Sequence, residues 1–151
     1  YLKVSRKKLT EIPPEVFLFK NLKGLDLSKN RLVNISPKIA ELSALEKLNL
    51  SKNRFEFFPK ETSSLENLRV LILGGNKLGY IPMSISKHPK LEELDMYDNP
   101  IGDLGEGIFS VPTLRRLDLR GLMYNAKSQA EIRKKLPNVK VLFDPPCNCM
   151  D

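Results

Sequence analysis

Tryptophan is absent from this 151-residue chain, histidine occurs once, and both cysteines, Cys147 and Cys149, fall within the last five residues. With none in the body, no disulfide framework holds the fold. The single histidine excludes an HExxH site, and no GxxxxGK phosphate loop or Ser-His-Asp set is present. Cys147 and Cys149 are two possible soft-metal ligands where a zinc site wants four, so no metal and no cofactor are expected. No apolar run approaches the roughly 18–20 residues of a membrane helix. The opening YLKVSRKK lacks the apolar segment of a signal peptide, which by itself fixes no compartment.

Hydrophobic residues make up 41% and charged residues 28%, the composition of a globular domain rather than a disordered chain. A chain of this size suits one domain and buries roughly 68–70% of its unfolded surface. The net charge of +7 permits attraction to nucleic acid or anionic membrane. The lysines and arginines are spread along the chain rather than blocked, so neither is the expected partner.

The chain repeats itself. LKGLDLSKNRL begins at Leu22, LEKLNLSKNRF at Leu45, LRVLILGGNKL at Leu68, LEELDMYDNPI at Leu91 and LRRLDLRGLMY at Leu114, each step being 23 residues. Asn30, Asn53, Asn76 and Asn99 share one offset, and Leu32, Phe55, Leu78 and Ile101 another. A fixed period in this range marks stacked supersecondary units. On these residues the sequence resembles the leucine-rich repeat family. Tails such as YIPMSISKHPK and FFPKETSSLEN fit its 23-residue subclass, of Ras-suppressor-like and bacterial type. The resemblance implies an α/β fold: a curved right-handed solenoid with a concave parallel sheet, short helical or 3₁₀ convex segments and a C-terminal helical cap.

Residues 1–143 are read as the repeat domain: a partial repeat 1–21, repeats from 22, 45, 68, 91 and 114, and a cap over 126–143. Residues 144–151 are expected to be a flexible tail. Strands are predicted near 2–4, 25–27, 48–50, 71–73, 94–96, 117–119 and 139–142. Convex turns are predicted near 37–42, 60–65, 83–87 and 106–111. Leu48 and Leu50 should point inward and Lys47 and Asn49 outward. The family gives the four asparagines a structural role, bonding the turn that ends each strand. The pattern SQAE predicts a capping box, with Ser128 as N-cap and Glu131 three residues on. Ala130, Ile132 and Leu136 should form the helix's apolar side.

In the resembling family the inner strand face commonly binds partners. Val70 and Ile72, with Gly74 and Gly75, make an apolar, low patch beside Glu93, Asp95, Tyr97 and Asp98, with Arg116, Asp118 and Arg120 beyond. An apolar floor rimmed by charge suits a protein contact. By column, Lys140 is expected to follow Asp118 and Asn138 to follow Arg116 on this face. Phe57 and Tyr80, one repeat apart, form a flank candidate. Asp95 and Asp118 resemble a carboxylate pair, but Arg116 and Arg120 can neutralise them. His88, in the convex segment SKHPK, is expected to be solvated.

The expected function is therefore a non-enzymatic module binding another protein or peptide through the concave face, as a monomer. The alternatives are an electrostatic binder of nucleic acid or anionic membrane, and the repeat segment of a larger enzyme or receptor. The composition fits the cytoplasm and a bacterial exterior equally.

Overall fold

Each 23-residue unit makes one coil, and each coil adds one strand to a single sheet. The computed structural model describes residues 1–146. Seven parallel strands follow in chain order: β1 (Leu2–Lys3), β2 (Gly24–Asp26), β3 (Lys47–Asn49), β4 (Val70–Ile72), β5 (Glu93–Asp95), β6 (Arg116–Asp118) and β7 (Lys140–Leu142). Parallel neighbours need a crossover connection. Here it is the rest of the coil, which returns through a 3₁₀ turn at Pro14–Leu18, Pro37–Glu41, Lys60–Ser64, Met83–Lys87 or Glu106–Ser110. Strands β2 to β6 begin one residue earlier than the sequence pattern predicts, and the turn at Pro14–Leu18 adds a convex segment to the four predicted.

Pairing is in phase with the repeat: Gly24, Lys47, Val70, Glu93 and Arg116 stand side by side, as do Asp26, Asn49, Ile72, Asp95 and Asp118. The leucines between them, Leu25, Leu48, Leu71, Leu94 and Leu117, face the interior and are buried. Leu50 and its equivalents Leu27, Leu73, Met96 and Leu119 join them. Returning residues Phe55, Phe58, Ile39, Ile85 and Ile108 close the core from the other side. Fully burying a side chain of this kind contributes about 1.5–3 kcal/mol. No coil has enough such residues to close a core alone, so stability is shared between neighbours.

Asparagine ends each strand because the chain turns away from the sheet and leaves buried backbone groups to be satisfied. Asn53 Nδ2 donates to Leu50 O (2.9 Å) and back to Leu27 O (3.1 Å), while its Oδ1 accepts from Leu32 N–H at 3.0 Å. Asn76 and Asn99 repeat this pattern one and two coils on. Asn30 reaches Val4 O in the first coil and accepts from the N–H groups of Lys7 and Leu9.

Two details of the C-terminal end differ from the sequence reading. Helix α1 (Ala126–Lys135) is capped by Asn125, whose side chain accepts from Ser128 N–H at 2.9 Å, so Ser128 lies inside the helix. Its inward residues are Gln129, Ile132 and, just beyond the helix, Leu136; Ala130 is exposed. Gln129 is tolerated inside because its amide donates to Tyr124 O and Asp144 O, both at 3.1 Å. The register of β7 is also shifted by two residues: Lys140 pairs with Arg116, and Leu142 with Asp118. The helix inserted between 119 and 140 breaks the 23-residue arithmetic. Asp144, at the start of the expected tail, is held by Gly121 N–H and Gln129. Cys147 and Cys149 lie outside the described residues.

Candidate functional site

On the strand face, every second residue of each strand points away from the core. Val70 and Ile72 are half-buried there, next to exposed Glu93 and Tyr97 and half-buried Asp95. A shallow hollow of about 180 Å³ is lined by Val70, Ile72, Glu93, Asp95, Arg116 and Asp118. Gly74 keeps its neighbourhood low: a Cβ there would stand 3.0 Å from Asp95 Oδ1 and 3.1 Å from Tyr97 O. Of the singled-out residues, six line this one hollow, and Tyr97 and Arg120 stand at its edge. Arg120 lies over the Tyr97 ring, 5.9 Å from its centroid.

The acidic column has a local purpose. Asp26, Asn49, Asp95 and Asp118 each accept the backbone N–H two residues on, at 2.9, 3.0, 2.9 and 3.2 Å respectively. Short polar side chains that satisfy their own turn favour such strand ends. Ile72 has no such capacity, so β4 has an aliphatic residue where its neighbours have a turn-former.

Asp118 is only 4% exposed, and Arg120 grips it through Nε (2.9 Å) and Nη2 (2.6 Å). Burial alone would raise its carboxyl pKa, but the two-pronged hydrogen bonding and charge of Arg120 outweigh this and lower it. The exposed partner in that pair is therefore Arg120. Burial raises the pKa of Asp95, and the neighbouring Asp118 charge adds to the rise. The two carboxylates are thus neighbours with opposite shifts, yet each is committed to turn hydrogen bonds, and the hollow holds no histidine, cysteine or lysine. Among the described residues, no group of three or more His, Cys, Asp and Glu side chains could hold a metal ion.

A larger hollow, about 710 Å³, lies on the flank between the asparagines and the convex turns. Phe57 (71% exposed) and Tyr80 (51% exposed) line it together, with Val33, Phe58, Pro59 and Pro82. Met83 is exposed nearby. Shared offset had signalled the Phe57–Tyr80 pair, whereas the contributions of Val33 and the prolines carried no such signal.

His88 is not solvated. It is 1% exposed, packed between coils with its Nδ1 3.0 Å from Ile85 O and its Nε2 3.0 Å from Thr62 Oγ1. The sequence held the clue: His88 stands at the offset of Leu42, Leu65 and Val111, all buried core positions. Burial lowers its pKa, and the hydrogen bonds only partly oppose this. Far from the strand face and shut from solvent, it has no catalytic geometry.

The leucine rich repeat family model matches residues 1–55, 29–78 and 43–101. A solved structure of a Leptospira interrogans LRR protein superposes with a TM-score of 0.74 at 28% sequence identity. That match covers 94% of this chain and 42% of that one, so the chain spans less than half the length of this relative. In all, 331 solved chains match, so the fold by itself selects no single function. A search of the curated proteins gave no match.

Proposed function

The chain belongs to the leucine-rich repeat family, and from that premise we propose that it is a non-enzymatic module, spanning residues 1–143, that binds another protein or peptide through its strand face. The family generally serves as an interaction scaffold. The observation that carries the reading is the hollow at Val70 and Ile72. It pairs accessible aliphatic surface with Tyr97 and with charges of both signs: Glu93 and Asp95, Arg116 and the Arg120–Asp118 pair. Aromatic and arginine anchors around an apolar centre are the usual sources of contact energy. The hollow is lined by no histidine, cysteine or lysine.

The flank groove supports a second contact reading through Phe57 and Tyr80, because its volume and exposed rings exceed those of the strand face. Binding of a captured partner by three immobilised forms separates the two: wild type, Ile72→Arg with Tyr97→Ala, and Phe57→Ala with Tyr80→Ala. The strand-face reading expects loss of at least tenfold in affinity in the first variant and little change in the second. The reverse pattern moves the contact to the flank. Equal binding by all three removes both.

A further inference from the structure

The strand face changes character along the stack. Over the first three coils it presents Lys3, Arg6, Lys29, Lys47 and Lys52, all exposed. Among the described residues none of the five is ion-paired. The one acid in this part of the face, Asp26, is buried and already accepts Ser28 N–H at 2.9 Å.

Three of the five cations form a ladder. Arg6, Lys29 and Lys52 share one offset on adjacent coils, about 4.8 Å apart at the backbone. They also share a left-handed backbone, with φ of 59°, 57° and 55°. At the same offset later coils carry Gly75, Asp98 and Gly121. Glycine or Asp is the low-cost choice for this conformation, and a long side chain is not. Like charges on neighbouring strands repel as well. The ladder thus accepts two unfavourable terms, both of which an anionic ligand lying across the coils would offset. At its first rungs a hollow of about 290 Å³ is lined by Lys3, Ser5, Arg6, Asp26, Ser28 and Lys29. Beyond its last rung, one coil on, lies the hollow whose aliphatic side is Val70 and Ile72.

Resting on the strand-face reading above, we infer that the segment this face takes is an acidic, extended polypeptide. Its Asp or Glu side chains lie over Arg6, Lys29 and Lys52, and a neighbouring apolar side chain enters the hollow at Val70 and Ile72. An extended peptide advances about 3.3 Å per residue, so the apolar residue falls about three or four positions from the nearest acid. Single-stranded nucleic acid is the poorer match, because successive bases need successive stacking platforms and the aromatic ring beside these cations, Tyr1 over Gly24, is a single one.

Fluorescence anisotropy of labelled probes against the chain tests this. The probes are an extended peptide with Glu at alternate positions leading to Leu, its Gln and Lys versions, a single-stranded DNA oligomer, and vesicles containing phosphatidylserine. Each is titrated into wild type and into the Lys29→Glu, Lys52→Glu variant, both substitutions being exposed and clear of the core. The expected result is at least tenfold tighter binding of the Glu peptide than of the Gln peptide by wild type at low salt, weakening as salt rises. The variant should transfer that preference to the Lys peptide. Equal binding of the Glu and Gln peptides, no binding of any peptide, no reversal in the variant, or stronger binding of DNA or vesicles than of the Glu peptide overturns the inference. A captured partner lost on Ile72→Arg with Tyr97→Ala but retained by Lys29→Glu with Lys52→Glu would leave the strand-face reading standing and remove this one alone. Retention by both removes both.

Discussion

Thr62 Oγ1 and His88 Nε2 lie 3.0 Å apart in the interior between two coils, each at an offset that other coils fill with an aliphatic residue. Thr62 stands where Ile39, Ile85 and Ile108 stand; His88 where Leu42 and Leu65 stand. Both are buried, at 0% and 1% exposure. Ile85 O can only accept, so His88 Nδ1 carries the ring proton, and the single proton of the Thr62 hydroxyl is shared between His88 Nε2 and Pro59 O, 2.8 Å away. Thr62 thus gives His88 Nε2 a partner that an aliphatic residue in its place could not, while Thr62 itself also has Pro59 O.

This pairing makes the two positions non-additive. Thr62→Ile leaves His88 Nε2 buried without a donor and should cost about 1–3 kcal/mol. Thr62→Ile with His88→Leu restores an all-aliphatic layer and should lie within about 1 kcal/mol of wild type, since replacing both partners is often near neutral. Urea unfolding of wild type, both single variants and the double variant checks it. A double variant as unstable as the sum of the singles contradicts it.

The same pair gives stability a pH dependence. His88 has its pKa lowered below 6.5 in the native chain by burial, so on acidification the unfolded chain binds the proton first. The His88 contribution is therefore fully present above about pH 6.5 and is lost as pH falls from there towards the native pKa, with no further loss below it. Thermal melts from pH 7.5 to 5 should show a decline in wild type that is smaller in the Thr62→Ile, His88→Leu variant. Parallel curves would contradict this.

Much of the fold was legible because the period is strict. Leucine spacing located the sheet and its order, and Asn30, Asn53, Asn76 and Asn99 marked the strand ends. What was missed has physical causes. Alternation cannot say where backbone pairing starts, so strands begin one residue early. The inserted helix α1 broke the period and shifted the register of β7. Asn125 outcompeted Ser128 as cap because the helix begins a turn earlier than SQAE suggests. Histidine is read as polar until a partner is known, and Thr62 is 26 residues away. The residues now placed around the strand hollow were visible by column, whereas the commitment of Asp118 to Arg120 required three-dimensional geometry.

Asn53 joins the backbone of two coils, so Asn53→Ala should cost about 2–4 kcal/mol, from several buried groups losing partners at about 1 kcal/mol or more each. Chemical denaturation measures it. A loss under about 0.5 kcal/mol would show that water replaces the side chain at little cost.

Gly121 and Gly79 should respond oppositely to alanine. Gly121 has φ of +83°, and a Cβ there would lie 2.7 Å from Asp98 N, whereas nothing lies within 4 Å of one on Gly79. Gly121→Ala is expected to cost about 2 kcal/mol or more. Gly79→Ala is expected to be neutral or to stabilise by up to about 1 kcal/mol through the unfolded chain. Comparable losses in both would contradict the close approach of the Gly121 coil to Asp98.

The central claim, that the strand face is the binding surface, is tested most directly by amide hydrogen exchange of the chain with and without its captured partner. Contact at the strand face predicts new protection over residues 70–75 and 93–98, with residues 54–61 and 80–84 unchanged. Protection confined to 54–61 and 80–84 would put the partner on the flank groove and contradict it.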